Sequence, residues 1–279
     1  MNNFLLIGGD KRMEVLYKTL LSKGIEARHI GNMKDLTAFS DYGCYSNVIL
    51  PLPVSKDGRR IFSADGDFDL SFEKLAENLL SIQRVFAGNL HGRLRALLDS
   101  KKIEYSDMML DEGFLEANAY LTAQGALRLL LENTEEYIVG KKVLIIGFGR
   151  VAAALAALLK AVGLDIYIAA RSSSQLRRAS CLGYKTVKLS NIGAYICFFD
   201  YIFATVPSKV LSADDIALIR DDCVYFELAS APFSAEEADF KLKSKKYVTG
   251  AALPGKYLST AAGRLMADYI LQFISAEKE

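Results

Sequence analysis

The clearest chemistry in this sequence lies at Gly147-Phe148-Gly149-Arg150-Val151-Ala152, between the apolar run Val143-Leu144-Ile145-Ile146 and an alanine-rich segment. A Gly-x-Gly-x-x-Ala turn that leaves a strand and opens a helix suits a pyrophosphate. The first glycine permits the tight turn, the second lets phosphate approach the backbone, and the small sixth residue lets the helix pack closely. The helix N-terminus then turns its unpaired N–H groups toward the anion. The next strand, residues 164–170, ends in Arg171-Ser172-Ser173-Ser174, where a site for an unphosphorylated ribose usually offers a carboxylate. A guanidinium followed by hydroxyls suits a 2′-phosphate, so NADP is the expected cofactor, with NAD also accepted if Arg171 only stacks on the adenine. Three later strand ends complete the expected cofactor side: Thr205-Val206-Pro207, Ala229 after the following strand, and the segment leading to Lys256. Lys256 is a cation that could hold a substrate carboxylate or help move a proton, and a solvated surface lysine is the equal alternative.

Composition removes several other chemistries. Four cysteines, Cys44, Cys181, Cys197 and Cys223, show no Cys-x-x-Cys pair, and the two histidines, His29 and His91, stand far apart, so no metal site is expected. Serine and cysteine nucleophiles that need an imidazole base have almost none to use. Lys plus Arg number 34 against 33 Asp plus Glu, a balance that gives no reason to expect nucleic acid or an anionic membrane as partner. The longest uncharged stretch, residues 42–55, contains Pro51 and Pro53 and is too short to span a bilayer. No basic region with a cleavage site precedes the first apolar run, so the expected location is the cytoplasm.

The elements that must position these residues read as two doubly wound α/β domains with a cleft between them, as a chain of 279 residues suggests. Residues 1–118 form an expected first domain, with strands near 4–7, 25–30, 47–53, 84–87 and 103–105 and helices near 11–22, 72–81 and 91–99. The Pro-Leu-Pro at 51–53 takes the third strand out of its sheet, and the Gly-, Asp- and Lys-rich residues 55–69 read as an exposed loop. A connecting helix covers 119–135, and 136–257 form the dinucleotide-binding domain. Residues 258–279 make a last amphipathic helix that folds back on the first domain.

In order, the following segments resemble the dipicolinate synthase A subunit of spore-forming bacteria over nearly the whole chain. They are Ile7-Gly8-Gly9-Asp10 with Arg12, Ile49-Leu50-Pro51, Thr122-Ala123-Gln124-Gly125, Gly147-Phe148-Gly149-Arg150, Ala170-Arg171-Ser172-Ser173, Leu228-Ala229-Ser230 with Pro232, Leu253-Pro254-Gly255-Lys256 and Ala262-Gly263. The resemblance implies a nicotinamide-linked oxidation of a dihydrodipicolinate-type intermediate, carried out with a small flavoprotein-like B subunit. It puts Gly8, Gly9, Arg12, Pro51, Thr122, Gln124, Gly125 and Lys256 on the substrate side, with Asp10 or Lys256 the candidate to take up the one proton that the oxidation releases. The chain departs from the family pattern at Gln124, where a glutamate is usual, and in residues 258–263, which lack its proline and one threonine. Two other readings stay open: a different two-domain hydroxy or amino acid dehydrogenase, or an assembly protein that binds the dinucleotide without turnover.

Overall fold

Strands that a parallel sheet buries on both faces are continuous apolar runs, whereas edge strands tolerate charge. The computed structural model describes residues 3–276; residues 1 and 2 of the expected first domain and 277–279 of the expected last helix lie outside them. The chain first forms β1 (Phe4–Ile7), α1 (Lys11–Ser22), β2 (Ala27–Ile30), α2 (Met33–Thr37), β3 (Asn47–Ile49), α3 (Phe72–Asn78), β4 (Arg84–Ala87), α4 (Gly92–Ser100), β5 (Glu104–Asp107) and the long α5 (Glu112–Glu132). It continues with β6 (Lys142–Ile146), α6 (Arg150–Ala161), β7 (Asp165–Ala170), α7 (Ser173–Cys181), β8 (Lys185–Lys188), β9 (Tyr201–Ala204), α8 (Ala213–Ala217), β10 (Val224–Glu227), α9 (Glu237–Leu242), β11 (Lys246–Thr249), α10 (Leu253–Tyr257) and α11 (Ser259–Ala276). Two compact units result. One holds the described residues through Asn118 together with those from Leu258 onward, and the other is Ala119–Tyr257.

Both sheets are wholly parallel, ordered β2-β1-β3-β4-β5 in the first unit and β11-β10-β9-β6-β7-β8 in the second. The polar strands take the edges: β2 is Ala-Arg-His-Ile, β5 Glu-Tyr-Ser-Asp, β8 Lys-Thr-Val-Lys and β11 Lys-Tyr-Val-Thr. The apolar β1, β6, β9 and β10 lie inside. β3 stops at Ile49, before Pro51, because proline has no N–H for a ladder. The short helices α2, α8, α9 and α10, of five or six residues each, are absent from the periodicity reading because so few residues show no repeat. Among the described residues no helix is long and apolar enough to cross a membrane.

Helix α11 lies along α1 within the first unit, where Met266, Ala267 and Ile270 share a core with Met13, Leu16 and Leu20. The two helices meet most tightly at Gly263, where an added Cβ would stand 2.6 Å from the carbonyl oxygen of Arg12 and 2.7 Å from Val15 Cβ. Alanine ordinarily stabilises a helix over glycine by about 1 kcal/mol. Here Gly263→Ala is expected to do the opposite, lowering the unfolding free energy by about 1–3 kcal/mol through overpacking, as read from urea denaturation. A gain in stability would show that the helices can separate freely at this point.

Candidate functional site

The turn between β6 and α6 is shaped by what surrounds it. Gly147 adopts φ +98°, and a Cβ there would meet Thr205 Oγ1 at 2.6 Å and Val206 Cγ1 at 2.7 Å. Thr205, just past β9, donates from Oγ1 to the Ile146 carbonyl at 2.9 Å, which ties the strand ends together. Phe148 turns inward: its ring is buried in the unit core beside Tyr184, so only its backbone faces the turn. Of the expected cofactor residue Phe148, it is the backbone that a ligand at the turn would meet. At Gly149 an added Cβ would meet nothing within 4 Å, so the space beside this backbone is open. Gly149 is also the N-cap of α6 and has no side chain to bond the first-turn N–H groups of Arg150 and Val151. An open backbone approach, a bare helix N-terminus and exposed Arg150 fit a pyrophosphate.

At the end of β7, Arg171, Ser172 and Ser173 are exposed, and Ser172 caps α7 without bonding its backbone. The Ser172 hydroxyl instead pairs with that of Ser174 at 2.6 Å. Residues 169–176 contain no carboxylate. Val206 is half-buried and Pro207 exposed after β9, while Ala229 is buried after β10. The predicted cofactor residues therefore collect at the carboxyl ends of the strands of one sheet.

The predicted substrate residues divide between the units. Gly8 and Gly9 have φ +69° and +89° and pack under Phe62 and Met13. Buried Pro51 backs Gly9. Asp10 is the N-cap of α1 and receives both Nε and Nη2 of Arg12, at 2.9 and 2.8 Å. Burial pushes the Asp10 carboxyl up, but the Arg12 hydrogen bonds and charge, with Lys56 behind them, hold it below its ordinary value. A lowered value makes it a weaker proton acceptor than an ordinary carboxylate. In α5, Thr122 is half-buried and Gln124 exposed, whereas Gly125 is pressed against Leu253, 2.7 Å from a would-be Cβ, and offers helix packing in place of ligand contact. Lys256 is exposed and lies over the Tyr257 ring at 4.7 Å, while Tyr257 donates its hydroxyl to Glu132. The Tyr257 hydroxyl and Arg128 hold the Glu132 carboxyl below its ordinary value, and the Lys256 charge adds a smaller part.

A profile of the D-isomer specific 2-hydroxyacid dehydrogenase NAD binding domain matches residues 113–253. The chain belongs to that dehydrogenase family. Residues 3–109 match the N-terminal domain of the dipicolinate synthase A subunit. The dipicolinate synthase A subunit of Bacillus subtilis is 23% identical over 194 residues, an alignment covering 68% of this chain and 64%, just under two thirds, of that protein. The crystal structure of the dipicolinate synthase A subunit from Bacillus halodurans superposes with TM-score 0.85 at 20% identity, covering 98% of this chain and 97% of that one. The crystal structure of the corresponding Bacillus subtilis protein gives TM-score 0.84 at 18% identity, covering 99% and 96%. Profile and relative point to the dipicolinate synthase A subunit, and the two structures share the fold. The second unit is thus a dehydrogenase-type domain for a nicotinamide dinucleotide, and the Gly147–Gly149 turn has the form that such a group requires.

Sequence reasoning missed the group that shapes the neighbouring loop of this dehydrogenase domain. Glu227, at the end of β10, is fully buried. It accepts from the backbone N–H of Ala229 at 3.1 Å and of Ser234 at 2.9 Å, and from the Ser234 hydroxyl, which also meets Tyr225 Oη. The signal was a carboxylate closing the apolar run Val-Tyr-Phe-Glu. Burial raises the Glu227 carboxyl above its ordinary value, with the Ser234 and Ala229 donors opposing. The native state therefore holds this proton more tightly than the unfolded chain, so its contribution to stability is full in acid and declines as pH rises through the raised value. Glu227→Gln should remove that decline. Urea unfolding at several pH values should show the wild type losing stability relative to the variant from pH 4.5 upward, by about 1.4 kcal/mol per pH unit of elevation. Parallel curves would mean that Glu227 titrates alike in both states.

Proposed function

We propose that this chain is an NADP-dependent oxidoreductase that converts a dihydrodipicolinate-type dicarboxylate into pyridine-2,6-dicarboxylate. The observation that carries this reading is one chain in which the N-terminal domain of a dipicolinate synthase A subunit precedes a dinucleotide turn followed by Arg171-Ser172-Ser173. When bound, the nicotinamide supplies a hydride acceptor. The substrate ring loses one hydride and one proton and becomes aromatic, which makes the oxidation favourable. The protein's work is then mainly orientation.

Gly147 and Gly149 leave room for the pyrophosphate, with the first-turn N–H groups of α6 as donors. Arg171, Ser172 and Ser173 receive the 2′-phosphate through a charged fork and hydroxyl donors. Thr205, Val206 and the loop after Glu227 support the nicotinamide end. Asp10, held ionised by Arg12, leaves the ring proton to solvent. The relatives are named as one of the subunits of their synthase, and we extend to this chain a small flavoprotein-like partner. The cytoplasm, with its nicotinamide pool and reducing conditions, suits a chain whose four cysteines are unpaired.

Cofactor preference tests the reading. Calorimetric titration should show NADP+ bound more tightly than NAD+, and Arg171→Asp should reverse that order by placing a carboxylate against the 2′-phosphate, a change of about 2 kcal/mol or more. With a dihydrodipicolinate-type substrate, alone and with the partner protein, the nicotinamide absorbance should rise. NAD+ bound at least as tightly by the wild type would overturn the NADP assignment. No reduction of either dinucleotide, with the partner present, would overturn the reaction.

A further inference from the structure

In an open parallel sheet, ligands gather outside the carboxyl ends of two strands where the strand order changes direction. In the first unit the order β2-β1-β3 places that point between β1 and β3. Gly9 and Asp10 leave β1 there and Pro51 leaves β3, with Pro51 Cβ 3.3 Å from where a Gly9 Cβ would be. Residues 62–64 pass alongside: Gly9 donates its N–H to the Phe62 carbonyl at 2.7 Å, and Ala64 donates to the Gly9 carbonyl at 2.8 Å.

Two cations meet at this point. The Arg12 side chain is only 8% exposed. Asp10 occupies its Nε and Nη2, but among the described residues Nη1 has no hydrogen-bond acceptor. Nη1 is not among the fully buried unpaired atoms of the described residues, so this donor reaches the surface, where a ligand can meet it. Lys56 lies in the exposed loop after β3, its Nζ 4.0 Å from the centre of the Phe62 ring. Among the described residues it has no carboxylate within ion-pairing distance, although its charge reaches Asp10. Two cations therefore face one carboxylate. On the β2 side of Gly9 the balance is the reverse: that hollow is lined by Asp10, Glu14, Asp35 and Asp65 against Lys11 and His29, and would repel an anion. The N-terminus of α1 is also closed to an anion, since Asp10 already caps it.

We propose that Arg12 and Lys56 form the carboxylate-binding site of this unit, with Asp10 fixing the guanidinium so that Nη1 and the Lys56 ammonium grip a substrate carboxylate. The ligand class is a small dicarboxylate of the pyridine-2,6-dicarboxylate type, and this identity rests on the oxidoreductase reading above. Arg12 was an expected substrate residue by resemblance alone. Lys56 was not expected at all, because its loop carries no motif.

The test is calorimetric titration of pyridine-2,6-dicarboxylate into the full chain with NADP+ present. The wild type should bind it, Lys56→Gln should weaken binding by about tenfold or more, and Lys56→Arg should recover most of the loss. Lys74→Gln, exposed on α3, should change nothing. Because Arg12 is buried, its variant is Arg12→Lys, which keeps the charge but cannot fill both Asp10 oxygens and the ligand; with an unchanged circular dichroism spectrum it too should weaken binding about tenfold. Absence of wild-type binding, or equal affinity in Lys56→Gln, would overturn the site. Nicotinamide reduction with an unchanged substrate KM in Lys56→Gln would overturn the site alone. Binding that depends on Lys56 without any nicotinamide reduction would overturn the oxidoreductase reading alone.

Discussion

Backbone at residues 147–149 passes so close to the end of β9 that no side chain fits at Gly147, and the rest of the dinucleotide domain is arranged around that approach. Thr205 bonds back to Ile146, Phe148 anchors the turn in the core, and Ala152 and Ala156 let α6 lie close to the sheet. Packing, not a capping side chain, therefore holds the turn. Gly149, having no side chain, does not cap the N–H groups at the start of α6.

The same strand-to-helix junction is used differently in the first unit. There the N-cap is Asp10, which brings its own negative charge to the start of α1 and is neutralised by Arg12. One junction is open to a phosphate and the other is filled from within the chain. What the first unit can offer an anion is consequently side-chain charge. At this junction the dinucleotide domain presents backbone, whereas the first unit presents side-chain charge.

Legibility in the sequence followed the range of the interaction. The alternation of strands and helices and the five strands of the first sheet were readable because each is a local pattern: Phe4–Ile7, Lys11–Ser22 and Arg84–Ala87 have the bounds expected from the residues alone. The dinucleotide turn was readable because glycine spacing reports a steric need. The inward turn of the Phe148 ring and the packing of Leu253 on Gly125 were not readable, because motif membership says nothing of which way a ring points or what presses on a Cα. The burial of Glu227 and the closeness of Lys56 to Asp10 come from chain segments far apart in sequence, and no spacing rule foretells them.

The proposed dinucleotide site puts a pyrophosphate against the bare backbone of Gly149. The most direct measurement is calorimetric titration of NADP+ and NAD+ into Gly149→Val, beside a circular dichroism spectrum to show that the fold is kept. An added side chain at Gly149 meets no protein atom within 4 Å at its Cβ, so the domain should fold unchanged while the dinucleotide loses its place, with affinity falling about a hundredfold or beyond detection. Undiminished binding of either dinucleotide by the folded variant would contradict the account and put the nucleotide elsewhere on the chain.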